Sequence, residues 1–94
     1  MREVSLLFRK RWWQRKVVEV ALAIPPQFLE QILSRIWENF SFASQKHSFL
    51  CTKDDMGDWI ISFFLPRNKQ TDLVDFLTVV CQQGALSFEA MELL

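Results

Sequence analysis

Arg9-Lys10-Arg11-Trp12-Trp13-Gln14-Arg15-Lys16 sets cations on both sides of two indoles, the side-chain types that hold phosphates and stack on unpaired bases. Against a bilayer the same residues would put the indoles at headgroup depth, each cation adding about 1 kcal/mol near anionic lipid. The plainer reading is a basic turn whose tryptophans pack on an acidic body, with the cations paired to Asp or Glu. The charge layout keeps all of these open. Residues 1–16 carry six Lys or Arg against one acid, Glu3, a net of +5, and residues 17–94 carry five against ten, a net of −5. The formal charge of zero hides this asymmetry, which is a cue for a segment that meets an anionic surface.

The remaining reactive side chains make weaker constellations. Lys53-Asp54-Asp55-Met56-Gly57-Asp58 gathers three carboxylates around a glycine, but an EF-hand loop needs ligands at alternate positions and a distal glutamate. A hairpin turn fits better. His47 and Cys51 would share a face of an extended strand roughly 13 Å apart, too far for joint metal ligation or a Cys-His pair. No GxSxG, Walker-type loop, GxGxxG or HExxH is present, and Gly57 and Gly84 alone make no phosphate cradle. The expectation is therefore no enzyme, no cofactor and no metal, although a general-acid pair could be assembled by folding from Asp54, Asp58, Glu19 or Glu89. Cys51 and Cys81 lack CxxC spacing and read as free buried thiols of a reducing compartment, hence a cytoplasmic setting.

The elements that position these residues follow from periodicity. Ninety-four residues, half of them hydrophobic, suit one domain. Val18, Val20, Leu22 and Ile24 alternate with smaller or polar residues, giving a strand over 17–24 that Pro25 and Pro26 end. Phe28, Leu29, Ile32, Leu33, Ile36, Trp37 and Phe40 form a helical stripe. Strands follow at 47–52 and 59–65, joined by the Asp-rich turn. Trp59-Ile60-Ile61-Ser62-Phe63-Phe64-Leu65 is apolar on both faces, as a central strand is. A second helix capped by Asn68 or Thr71 buries Leu73, Phe76, Leu77 and Val80, with Gly84 as a left-handed stop, and a last strand spans 85–93. No run reaches eighteen apolar residues, so no spanning helix is expected. The N-terminus has the wrong order for a secretory signal, and Glu3 and the scarcity of Ser argue against an organellar transit peptide.

From residue 17 the order is strand, helix, strand, strand, helix, strand. This predicts an α+β fold of ferredoxin-like βαββαβ topology: a four-stranded antiparallel sheet, 17–24 and 59–65 central, both helices on one face. The order is similar in outline to ACT-type regulatory domains and to the RNA recognition motif. Pro25 and Pro26 stand where the former place glycine, and 59–65 lacks the basic residue and glycine of the latter, so no family is assigned.

The chain then divides into a basic aromatic arm, 1–16, and a domain, 17–94. Val4, Leu6 and Phe8 alternate as a strand does, while Val4, Leu7, Phe8 and Trp12 share a helical face, so periodicity leaves the arm undecided. A hairpin from 2–9 into 17–24 would compete with the last strand for one edge, which favours an arm that covers the open sheet face, extends another edge or reaches a partner. Large apolar groups on both sides of 59–65 require something to cover that open face, by a partner, a second copy or the arm itself. The expected function is a non-enzymatic interaction or regulatory module that contacts a protein, its own copy included, through Trp59, Ile61 and Phe63 and through Arg9, Lys10, Arg11, Trp12, Trp13, Arg15 and Lys16. The alternative is nucleic-acid binding by the arm.

Overall fold

The computed structural model describes residues 3–10, 15–40 and 50–93. The chain runs β1 (Glu3–Arg9), β2 (Val17–Ile24), α1 (Leu29–Asn39), β3 (Leu50–Lys53), β4 (Trp59–Pro66), α2 (Gln70–Gln83) and β5 (Ser87–Leu93), with a short 3-10 turn leading into each helix. It is an α+β fold. One five-stranded mixed sheet has the order β3-β4-β2-β1-β5. This corrects the expected four-stranded antiparallel sheet, and the difference lies in the first nine residues.

β1 pairs antiparallel with β2, Leu6 opposite Leu22, and parallel with β5, Leu6 opposite Ala90. The foreseen competition for the edge of β2 is settled by insertion. β1 takes that edge, and β5 moves out by one strand to pair with the far side of β1. Val4, Leu6 and Phe8 are buried in the same core as β2 and β4, so they neither cover the open face nor leave the molecule. In an internal strand the N-H and C=O groups that point to either side all find ladder partners, and the alternation Val4, Leu6, Phe8 supplies the large apolar groups a helix-covered position requires.

The core lies between the sheet and the two helices. Val18, Val20, Leu22 and Ile24 of β2 and Ile61, Phe63 and Leu65 of β4 meet Ile32 and Ile36 of α1 and Leu73, Leu77, Val80 and Cys81 of α2. Two helices about 10 Å wide side by side cover about four strands at 4.8 Å spacing. That accounts for β4, β2, β1 and β5, and leaves β3 outside the roof with all four of its residues exposed. Cys51 is therefore an exposed thiol, against the expectation of burial, while Cys81 is buried and both are free.

The helical stripes are placed as their spacing implies, with one exception. Trp37 is 42% exposed because it lies about 100° around the helix from the buried Ile36. Phe40, just beyond α1, meets Phe76 of α2 edge to face at 5.4 Å between ring centroids, and Arg35 Nη1 donates to Gln83 Oε1 at 2.7 Å. The end of α2 also departs from expectation. Gly84 has φ −91°, and the left-handed residue is Ala85 at φ 56°. The Leu86 N-H bonds to the Cys81 carbonyl at 2.8 Å and the Ala85 N-H to that of Gln82, the bond pair of a Schellman stop centred one residue later than the glycine.

Candidate functional site

Strand alternation divides the sheet into two faces, and the register decides which side chains share each. Ile61, Phe63 and Leu65 stand opposite Leu22, Val20 and Val18, beneath the helices. Ile61 is 1% exposed and Phe63 2%, and half-buried Trp59 packs on the same core with the Lys53 ammonium 5.0 Å from its ring centroid. The expected contact set Trp59, Ile61 and Phe63 is thus on the covered side. Both phases of 59–65 are apolar, so its own pattern gave no phase. Ser62, the single polar residue in that run, marks the open face, and it was the available signal.

The open face carries instead Ile60, Ser62 and Phe64 of β4, Leu50 and Thr52 of β3, Val17, Glu19, Ala21 and Ala23 of β2, Ser5, Leu7 and Arg9 of β1, and Glu89 and Met91 of β5. Its centre is low because Ala21, Ala23 and Ser62 are small, and a depression of about 210 Å³ opens there between Leu7, Arg9, Glu19, Ala21 and Ser62. Large apolar groups share the face: Leu50 is 63% exposed, Met91 51% and Phe64 49%. Large apolar groups gathered on one exposed face are a usual mark of an interaction surface.

Charge is arranged along the strands. At the start of β1, Glu3 lies beside Glu89 of β5, and a shared hydrogen bond, desolvation and mutual repulsion hold the Glu3 carboxyl above its ordinary value of 4.5. No cation among the described residues pairs with either. Arg9, exposed, ends the same strand on the same face. Lys10 follows on the helix side, where its Nζ lies 2.8 Å from Glu92 Oε1. Lys10 and Gln70, which donates to Glu92 at 2.9 Å, hold the Glu92 carboxyl below its ordinary value.

Arg15 and Lys16 are exposed, while Arg11, Trp12 and Trp13 lie outside the described residues. The fold adds two cations to this end. The backbone N-H of Arg67 donates to the Lys16 carbonyl at 3.0 Å and its Nε to the Val17 carbonyl at 3.2 Å, which brings Arg67 and nearby Lys69 to the arm. Lys69 also reaches Asp72 at 3.7 Å. An open depression of about 370 Å³ between Lys10, Arg67, Gln70, Thr71, Val74 and Glu92 lies here. Sequence spacing could not join residues 10–16 to residues 67–69, because the bond between them is made by the register of β2 on β4.

At the opposite end, the 54–58 carboxylates form the expected hairpin turn. Asp54 accepts N-H bonds from Met56 and Asp58, both at 2.9 Å, and Gly57 takes φ 85°. No group of three metal-ligating side chains occurs among the described residues, and no helix among them is long and apolar enough to cross a membrane. In comparisons with known proteins, no family model, curated protein or solved structure matches the chain.

Proposed function

We propose that the chain is a non-enzymatic interaction or regulatory module that associates with a second copy of itself through the open sheet face. The observation that carries this is that exposed Leu50, Phe64 and Met91 share the open face with the low floor of Ala21 and Ser62. Burying these groups removes several large apolar side chains from water at about 25 cal/mol per Å². The basic end, including Lys10, Arg15 and Lys16, steers and orients a partner with an acidic surface, which the chain's own body provides. Exposed, unpaired Cys51 favours a reducing, cytoplasmic setting. The frame from β2 to β5 keeps the element order of a ferredoxin-like unit, with β1 wedged between its first and last strands.

Molar mass measured over a dilution series from low to high micromolar tests this. The wild type is expected to pass from monomer to dimer, and Phe64→Asp to stay monomeric while remaining folded. A wild type that is monomeric throughout would overturn the reading. Nucleic-acid binding is the second reading, favoured by the approach of Arg67 and Lys69 to Lys10, Arg15 and Lys16, which widens a linear basic run into a patch.

A further inference from the structure

Resting on that self-association, we infer that two copies stack with their strands antiparallel, about a two-fold axis that crosses the strands, so that Arg9 of each copy lies over Glu3 and Glu89 of the other. The inference comes from where the open face keeps its charges. Arg9 and Glu3 are the two ends of β1, six residues or about 20 Å apart, and both point to the open side. Glu89 joins Glu3 from β5, since Ser5 and Glu89 are register partners. Glu19 of β2 stands opposite Arg9 on the same face, and between the two ends the face is apolar or small: Leu7, Ala21, Ser62, Leu50 and Met91 share the central row.

Two symmetric ways exist to press this face on its own copy with the strands aligned, because the axis must lie in the plane between the sheets and run along the strands or across them. An axis along the strands keeps like ends together. It also lays β5 with its carboxylates across β3 and the acidic 54–58 turn of the other copy, which sets like charges against each other. An axis across the strands exchanges the ends. The central row then meets itself, Phe64 comes over the Ile60 side of the other copy, and each guanidinium finds the carboxylate pair that no cation among the described residues serves. The two contacts are equivalent by symmetry, so every charge change counts twice.

The size also fits. Five strands at about 4.8 Å spacing and about seven residues at 3.3 Å give a flat footprint of roughly 500 Å², and side-chain relief brings it toward the ~800 Å² that a standard interface takes from each partner. In the aligned class of sheet packing the strands stay within about 30° of one line, so the sheet twist preserves the end-to-end exchange.

The test is a charge-swap cycle read in the dimer dissociation constant at low salt. Arg9→Glu and Glu89→Arg are each expected to weaken dimerisation at least tenfold, and the double variant Arg9→Glu/Glu89→Arg to recover most of that loss. Arg9→Gln and Glu89→Gln, gentler changes, are expected to weaken it about threefold each, and circular dichroism checks that each variant folds. Dimers that persist with purely additive effects, or with no effect of Arg9, would overturn the antiparallel stacking and leave self-association standing. A wild type that never dimerises would overturn both.

Discussion

At the residue scale the two perturbed carboxyls pull stability in opposite directions with pH. Glu3 is held above its ordinary 4.5, so the folded chain binds more protons than the unfolded one between 4.5 and that raised value. Stability contributed there falls as pH rises, and at neutral pH the ionised pair with Glu89 is a cost. Glu92 is held low by Lys10 and Gln70, so its contribution is present at neutral pH and is lost as pH falls through its depressed value. Thermal unfolding of Glu3→Gln and Glu92→Gln at a dilution that keeps the chain monomeric separates them. Glu3→Gln is expected to melt above wild type at pH 7, with the gain closing below about pH 4.5. Glu92→Gln is expected to melt lower at pH 7, with its loss narrowing in acid. Two variants that shift alike would remove the opposed environments.

At the element scale, β1 is the strand on which the architecture turns. Leu6 is 1% exposed in the core, whereas Leu7, its neighbour, looks out on the open face. Leu6→Ala should cost about 2–5 kcal/mol in urea unfolding and Leu7→Ala less than about 1 in the monomer. Equal, small losses would take β1 out of the sheet. The order of elements from β2 to β5 was legible because Pro25, Pro66 and the 54–58 turn punctuate it and each helix carries a clean stripe. The place of β1 was not. Its alternation marks a strand, but whether an edge accepts one strand or two in succession depends on how far the helices reach across the sheet. The phase of β4 was hidden for a related reason: with Ile60 and Phe64 as apolar as Ile61 and Phe63, Ser62 was the one sequence cue to the open side, and the register against β2 shows which pair lies under the helices. Trp59, Ile61 and Phe63, three of the ten residues expected to make contact, therefore lie on the covered side.

For the whole molecule, strand direction sorts charge into two ends. β1 ends and β2 and α2 begin where Lys10, Arg15, Lys16, Arg67 and Lys69 gather, and β1 begins and β3 ends beside Glu3, Asp54, Asp55 and Asp58. Salt then distinguishes the two functional readings, because they draw on different parts of this layout. Face-to-face dimerisation buries mainly apolar surface, with Arg9 and its carboxylates at the rim, and screening acts only on the rim. Its dissociation constant should rise less than about tenfold between 50 and 500 mM salt. Duplex nucleic acid held by the five cations of the basic end would release about one counterion per phosphate neutralised, and affinity should fall by roughly four orders of magnitude over the same range. Fluorescence anisotropy with a labelled duplex and sedimentation of the protein alone, run in parallel across that range, measure both slopes. A steep slope for the duplex beside a protein that stays monomeric would assign the function to the basic end. A shallow slope in dimerisation, with weak duplex binding throughout, assigns it to the sheet, since apolar burial is the one contribution here that added salt does not screen.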